Sequence, residues 1–194
     1  MMAADKKEWK WQTEAEECVI DSDKITMTAG HGTNLFNSPS GYFKCGTFPY
    51  LYVEYQGDFI VICKVLPEFH EVYDLGSIVV WDNEDTWIKL AYENTDNGYP
   101  AIVSVVTREY SDDCNGAEMD GPVWLQISRK GDVFALHFSK DRVAWQLARI
   151  CRVSMSEKVK VGISAQCPSG EQCKVCFEDF EILENTYSNQ RKAE

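Results

Sequence analysis

Short apolar stretches separated by polar turns run through most of the sequence, and apolar residues within them recur at every second position. This period is typical of β-strands that bury one face. It predicts strands at residues 24–28, 47–55, 59–66, 76–81, 87–93, 101–108, 123–129, 133–139, 143–149, 158–166 and 174–183. Because no helix of core-packing length separates them, the pattern predicts an all-β fold of two antiparallel sheets packed as a sandwich.

Two segments of this pattern need comment. Residues 143–152, VAWQLARICR, also have apolar residues at helical spacing, at Val143, Leu147 and Ile150. We expect a strand there, with a helical turn or two as the alternative. Residues 109–122 are rich in Ser, Asp, Asn and Gly and are predicted to form a loop.

The period of two also assigns residues to the faces of each strand. The predicted core-facing residues are Ile88, Leu90, Tyr92, Val103, Val105, Leu125, Ile127, Phe134, Leu136, Phe138, Val161, Ile163 and Ala165. The polar and aromatic residues predicted to face outward are Trp87, Lys89, Glu93, Ser104, Arg108, Gln126, His137 and Gln166.

This outward set mixes an indole ring with amide, hydroxyl, imidazole and charged groups. A pyranose ring packs its C–H face on an aromatic ring, and its hydroxyls need donors and acceptors at fixed positions. The set therefore indicates a carbohydrate-binding face, provided that the strands are neighbours. The alternative is an ordinary sheet face half covered by a loop.

Composition and charge limit the classes of partner. The chain has 194 residues and 44% hydrophobic residues, which fits a single globular domain over residues 1–194, with 1–8 and 187–194 predicted to fray. The net charge of −12 disfavours nucleic acid and anionic membranes as partners. We find no signal peptide and no apolar run of membrane-spanning length, so we expect a cytoplasmic protein.

Eight cysteines raise the question of a metal site or disulfides. Without an export signal we expect free thiols. The spacing of Cys173 and Cys176 is that of zinc ligands, but KVCFEDFEIL is a predicted strand, on which positions i and i+3 point to opposite faces. The acidic turn at 82–85 has no glycine and is interpreted as solvated rather than calcium-binding. We therefore expect no metal and no cofactor.

The motifs in order along the chain resemble a known family. An acidic turn at Asp82 precedes the W-[IV]-K-x-x-x-E strand of Trp87, Lys89 and Glu93, and is followed by SVVT at 104–107 and Ser111-Asp112. A basic turn at 128–131 and an H-x-S-x-D-G-x-x-W element follow, the latter at His137, Ser139, Asp141 and Trp145 with Arg142 in place of glycine. An upstream D-L-F-x-x-P element matches 34–39, with Asn34 for Asp.

Over about residues 31–183 the sequence is similar to a family of mostly uncharacterised bacterial and fungal proteins. The family includes the fungal "regulation of enolase" type and is related to a domain at the C-terminus of some β-xylosidases. The resemblance implies a concanavalin A-like jelly roll of the lectin/glucanase superfamily, with one concave sheet face on which superfamily members bind sugars. Fold alone does not deliver the function.

Catalytic carboxylates of the glucanase kind are not evident. Retaining enzymes need two carboxyls about 5–5.5 Å apart. The alternating acids Glu118 and Asp120 lie in the predicted loop, which holds carboxylates poorly. Glu93 with Asp112 or Asp113 is the better set, but an ideal hairpin places these residues at opposite ends, so we expect them to be far apart.

The leading hypothesis is a non-catalytic module that binds a carbohydrate or sugar-derived metabolite on the concave face. Stacking is assigned to Trp87 or Trp145, and polar contacts to Lys89, Glu93, Ser104, Arg108, Gln126, His137 and Gln166. One alternative is a regulatory module that binds a metabolic enzyme. Another is a glycoside hydrolase or lyase using Glu93 with Lys89 or His137.

Overall fold

Sixteen strands and no helix form in the computed structural model, which describes residues 8–194. Most of the predicted fraying segment 1–8 lies outside the described residues. Within 8–194 no helix is long and apolar enough to cross a membrane. The strands are β1 Lys10–Trp11, β2 Glu17–Asp21, β3 Lys24–Gly30, β4 Phe36–Asn37, β5 Lys44–Cys45, β6 Leu51–Gln56, β7 Phe59–Glu68, β8 Leu75–Asn83, β9 Thr86–Asn94, β10 Pro100–Arg108, β11 Tyr110–Glu118, β12 Val123–Lys130, β13 Val133–Ser139, β14 Gln146–Arg152, β15 Lys158–Gln166 and β16 Gln172–Glu184.

Two seven-stranded antiparallel sheets make up the sandwich. Sheet A has the order β1-β6-β15-β8-β9-β10-β11, and sheet B has the order β14-β13-β12-β7-β16-β3-β2. Strands β4 and β5 form a separate two-stranded ribbon. The predicted sandwich of two antiparallel sheets is confirmed, and residues 146–152 are a strand, not a helix.

The main hydrophobic core fills the space between the sheets. Sheet A contributes Ile88, Leu90 and Val161, which are fully buried against residues of sheet B such as Leu125 and Phe134. At roughly 25 cal/mol per Å² of apolar surface removed from water, this interface is the main source of stability. The predicted core-facing residues of β9, β12, β13 and β15 lie here.

Strand β10 reverses the predicted faces. In the ladder with β9, Ser104 lies opposite Leu90 and Val105 lies opposite Lys89. Ser104 and Arg108 therefore face the same side as the core, while Val103 and Val105 lie on the outer face of sheet A, so this prediction is wrong. Residues 101–107 are all buried, and a strand buried on both faces carries no period-of-two signal.

A second apolar cluster covers the outer face of sheet A. Residues 34–50, which we call the covering segment, fold across this face and include the β4–β5 ribbon. Leu35, Phe48 and Tyr50 from this region pack on Trp81 and Trp87. The Tyr50 hydroxyl donates to the Val79 carbonyl at 3.0 Å, which ties the segment to β8. The outer face of sheet A is therefore a second, smaller core.

The C-terminal segment 187–191 covers the outer face of sheet B. The Tyr187 hydroxyl donates to Gln126 Oε1 at 3.0 Å, and Ser128 Oγ donates to Gln190 Oε1 at 3.0 Å. These bonds attach Tyr187 and Gln190 to strand β12.

Candidate functional site

A cavity of about 320 Å³ lies between the covering segment and the outer face of sheet A. Its floor comes from β9, its rim from β11 and the loop after β9, and one wall from the covering segment. Ligand pockets commonly range from roughly 300 to 1,000 Å³, so the cavity is at the small end of that range.

Lys89 and Glu93 form the floor because they lie four residues apart on one face of β9. The Lys89 Nζ donates to the Leu35 carbonyl at 2.9 Å and to Gln166 Oε1 at 3.2 Å. Burial lowers the pKa of Lys89, and the carboxylates of Glu93 and Asp113 oppose this effect. The ammonium group is thus held in place by the covering segment and by the neighbouring strand β15.

Glu93 is the distinctive group of the site. Its side chain is only 9% exposed. Nevertheless, it forms no side-chain hydrogen bond or ion pair with the part of the chain that the structure describes. Burial raises its pKa to about 7; the charge of Lys89 lowers it, and Asp113 raises it further. A nearly buried carboxyl group without a hydrogen-bonding partner is costly, and such groups indicate function rather than stability.

The rim of the cavity is acidic. Strand β11 folds back beside β10 and places Asp113 opposite Val105, which in turn lies opposite Lys89. Asp96, in the turn after β9, completes the rim. Burial raises the pKa of Asp113, and Lys89 lowers it. Lys89, Glu93, Asp96 and Asp113 therefore face one space.

This arrangement corrects one expectation. Most of the predicted loop 109–122 is the edge strand β11, whose Ser, Asp and Asn residues concealed it. Glu93 and Asp113 lie four ladder positions apart on sheet A, as the hairpin geometry predicts, and both nevertheless line the cavity. Asp112 points to the other face of the strand and pairs with Arg149 at 3.3 Å.

Aromatic side chains form the wall. The Phe36 and Phe43 rings of the covering segment lie with centroids 6.1 Å apart. The third ring is that of Tyr73, whose hydroxyl donates to Asp96 Oδ2 at 3.3 Å. Tyr73 has a φ of 72°, a left-handed conformation that costs a non-glycine residue about 1 kcal/mol or more. Sequence reasoning missed these rings, although the family element at 34–39 marks Phe36.

Trp87 does not line the cavity. It is fully buried in the second apolar cluster beneath the covering segment, beside Leu35 and Phe48. Its indole Nε1 has no hydrogen-bond partner among the described residues. A ligand cannot stack on this ring without removal of the covering segment, so the predicted stacking role is wrong for Trp87.

Gln126 and His137 lie on the opposite side of the molecule. Both are fully buried on the outer face of sheet B, beneath the C-terminal segment. The His137 Nε2 donates to the Arg191 carbonyl at 3.2 Å, and burial lowers the pKa of the imidazole. The prediction that these residues share a groove with Trp87 and Lys89 is wrong, because the two sheets are separated by the main core.

The remaining predicted residues also have other positions. Ser104 Oγ accepts a hydrogen bond from Arg149 Nε at 3.0 Å between the sheets, and Arg108 donates to the Arg152 carbonyl at 3.3 Å. Trp145 is half-buried immediately before the edge strand β14. Gln166 lies beneath the covering segment, where its Oε1 accepts from the Leu35 amide at 3.0 Å and from Lys89. Of the predicted set, only Lys89 and Glu93 line the cavity.

Arg142 stands where the resembled family has glycine. Arg142 has a φ of 62°, the left-handed region that glycine adopts freely. Its guanidinium pairs with Glu181 at 2.6 Å and lies 4.9 Å from the centre of the Trp124 ring. These contacts offset the conformational cost on the exposed side of sheet B.

The cysteines do not form a metal site. Within residues 8–194, no group of three or more His, Cys, Asp or Glu side chains is placed to hold an ion. Cys173 is buried and Cys176 is half-buried, consistent with opposite faces of strand β16. Burial raises the pKa of Cys167 to about 12, which makes this thiol unreactive.

Comparisons with solved structures place the fold. A structure described as a functionally unknown protein from Saccharomyces cerevisiae has a TM-score of 0.88 at 22% identity, covering 92% of this chain and 97% of that chain. The carbohydrate binding module CBM66 from Bacillus subtilis has a TM-score of 0.61 at 8% identity, covering 93% and 98%. A xylan beta-1,4-xylosidase from Bacillus halodurans C-125 aligns at 0.63 and 11% identity, covering 92% of this chain but 40% of the enzyme. These likenesses confirm the concanavalin A-like jelly roll and the similarity to a xylosidase domain.

Sequence relatives identify the family. "Regulation of enolase protein 1" of Saccharomyces cerevisiae is 24% identical over 175 residues, which cover 89% of this chain and 87% of the relative. A family model described as "Protein of unknown function (DUF1349)" matches residues 11–185. This match spans the whole sandwich and the cavity, and the chain therefore belongs to the DUF1349 family.

Proposed function

We propose that this protein is a non-catalytic binding module that takes a small carbohydrate or sugar-derived metabolite into the cavity over sheet A. The observation that supports this most directly is Glu93, a carboxyl group nine-tenths buried, facing the cavity and without a hydrogen-bond partner among the described residues. A ligand hydroxyl or amine would supply the missing hydrogen bond. Binding would then place a fixed donor at the carboxyl oxygens, which face the cavity.

The shape of the site suits a ligand of about one sugar ring. The cavity of about 320 Å³ has charged groups on its floor and rings on one wall. Phe36, Phe43 and Tyr73 are exposed or half-buried, so a ligand can reach their faces. Aromatic contact on one side and hydrogen bonds on the other are what a pyranose requires.

The comparisons support a binding role without naming the ligand. One structural neighbour is a carbohydrate binding module, and in another, a xylan beta-1,4-xylosidase, the similar region is 40% of the enzyme's chain. At 11% and 8% identity, these similarities concern the fold alone. The proposal for this chain therefore depends on the cavity.

A thermal-shift screen of neutral, acidic and amino sugars and short oligosaccharides tests the proposal. A true ligand at about 100 times its Kd should stabilise the protein by roughly 2.7 kcal/mol. Glu93→Gln should weaken that response. The matched control is Glu17→Gln, an exposed glutamate on the edge strand β2 of sheet B, which should respond as the wild type does. If no sugar stabilises the wild type, the proposal fails.

A second candidate is a regulatory module that binds a metabolic enzyme, and it is favoured by the name of the Saccharomyces cerevisiae relative. Its test is direct binding of purified enolase by calorimetry. A protein-binding regulator should bind enolase and give no thermal shift with any sugar. If the protein binds a sugar and the affinity for that sugar does not change when enolase is added, this candidate is disfavoured.

A third candidate is acid–base catalysis by Glu93 with Lys89. The pKa of Glu93, about 7, lies in the range that suits a general acid or base near neutral pH. The pairing of Glu93 with His137 is excluded, since the two lie on opposite sides of the sandwich. Hydrolysis of aryl glycosides that is lost in Glu93→Gln would favour catalysis over simple binding.

A further inference from the structure

The charges around the cavity are strongly unbalanced. Glu93, Asp96 and Asp113 face it together with one cation, Lys89. Counting each carboxylate as −1 and the ammonium as +1 gives a local charge of −2 when all four are ionised. The protein as a whole carries −12, so the wider field does not reverse this sign. A phosphorylated or acidic ligand would be repelled from the site.

The one cation is already engaged. Two of the three donor directions of the Lys89 ammonium are used by the Leu35 carbonyl and Gln166 Oε1. The side chain is 3% exposed, so little of its charge is presented to a ligand. The carboxylates are less constrained: Glu93 forms no hydrogen bond with the described residues, and Asp113 is exposed at the rim. The charged groups that a ligand meets are therefore acceptors, beside the neutral amides of Asn34 and Asn115.

The aromatic wall has the same preference. The faces of Phe and Tyr rings carry negative charge and attract cations, and this attraction strengthens when water is excluded. Phe36, Phe43 and Tyr73 stand beside Glu93 and Asp113 around a common space. Rings and carboxylates combined in one pocket form a cage for an ammonium group. The strained backbone of Tyr73, with φ at 72°, places one of those rings.

From these contacts we infer that the cavity selects an amino sugar, whose ammonium group lies between Glu93, Asp113 and the aromatic wall, over neutral and phosphorylated sugars. This inference depends on the proposed function, because it requires the cavity to be a ligand site. It adds the charge of the ligand, which neither the family nor its relatives specify.

Isothermal titration at pH 7.5 with the full chain tests the selectivity. The probes are glucosamine, galactosamine and mannosamine, each paired with its N-acetyl counterpart, together with glucose, glucose 6-phosphate and ethanolamine. At least one amine should bind about tenfold or more tightly than its N-acetyl form, and the difference should shrink in 0.5 M salt because screening weakens charge attraction. Glucose 6-phosphate should bind most weakly, and ethanolamine more weakly than the amino sugar because it lacks the ring.

The charge effect is isolated by neighbouring substitutions on one strand. Asp113→Asn removes a rim carboxylate and should reduce amine affinity about fivefold, while affinity for the N-acetyl sugar changes less than twofold. Asp112→Asn is the matched control, since Asp112 points to the other face and pairs with Arg149. Both side chains are exposed, so both variants should fold.

The outcomes separate this inference from the proposed function. Equal or tighter binding of neutral sugars overturns the selectivity and leaves a sugar-binding module. Tight binding of ethanolamine equal to that of the amino sugars overturns the sugar part and leaves an amine site. If none of the probes binds, the inference fails, while the proposed function fails only if the wider thermal-shift screen is also blank. Equal effects of Asp112→Asn and Asp113→Asn would show that the preference arises outside the cavity.

Discussion

Replacing Glu93 with glutamine should remove most of the pH dependence that this residue gives to folding stability. The carboxyl group is nine-tenths buried, and burial raises its pKa from 4.5 to about 7. Below about pH 4.5 the group is protonated in both the folded and the unfolded state, and its contribution to stability is fully present. That contribution is lost as pH rises through the folded-state pKa of about 7. Glutamine has a similar shape but does not titrate.

The magnitude follows from the difference between the two pKa values. A rise from 4.5 to about 7 is about 2.5 pKa units. Each unit corresponds to roughly 1.4 kcal/mol, so the full effect is on the order of 3 kcal/mol. Between pH 5 and pH 8, the wild type should lose about 2–3 kcal/mol that the variant keeps. At pH 5 Glu93 is protonated in the wild type, so its attraction to the Lys89 ammonium acts only near pH 8. That attraction is already part of the pKa of about 7.

Urea denaturation followed by tryptophan fluorescence measures this effect. The free energy of unfolding is compared at pH 5 and pH 8 for the wild type, Glu93→Gln and the exposed control Glu17→Gln. The stability difference between Glu93→Gln and the wild type should move by about 2–3 kcal/mol in favour of the variant as pH rises. The control should stay within about 0.5 kcal/mol of the wild type at both values. The reasoning is refuted if the Glu93→Gln difference is the same at pH 5 and pH 8.

Three further perturbations test other parts of the structure by urea denaturation or ligand titration. Trp87→Phe should lower the free energy of unfolding by about 1–3 kcal/mol yet leave ligand affinity unchanged, because the ring is buried beneath the covering segment. A large loss of affinity would show that this ring contacts the ligand. Deleting residues 187–194 should cost about 1–3 kcal/mol, since it exposes polar groups that the segment now binds, and an unchanged midpoint would show that the segment does not pack in solution. Gly162→Ala should cost about 1–3 kcal/mol because a methyl group would collide with the Leu51 carbonyl; Gly46→Ala, where the added methyl group meets open space, is its control.

The sequence alone predicted the architecture well. Alternation in β9, β12, β13 and β15 identified both the strands and their core-facing residues, because one face of each strand meets the main core. It also identified Lys89 and Glu93 as unusual outward residues of a single strand. This relation depends only on the spacing of four residues along one chain, which no change in strand order can alter.

The local sequence pattern gave wrong predictions where the surroundings of a residue depend on neighbouring strands or on a segment remote in sequence. Strand β10 is buried on both faces, so its parity carried no signal and Ser104 was assigned to the wrong side. Strand β11 is polar and edge-placed, so it was predicted as a loop and Asp113 was not placed at the site. Arg142 adopts a left-handed backbone although it is not glycine, and its guanidinium contacts Glu181 and Trp124, residues far from it in the sequence.

The sequence by itself determined that Lys89 and Glu93 share one face, that the chain forms a sandwich, and that the charge is strongly acidic. Only the tertiary structure decided which outward residues meet. Sheet order puts Lys89 and His137 on opposite sides of the core, and the covering segment buries Trp87 while leaving Glu93 at a cavity. The physical reason is that alternation along a strand determines only which residues of that strand share a face. Which sheet the strand joins, and what covers it, depends on hydrogen bonds and packing between residues far apart in the chain.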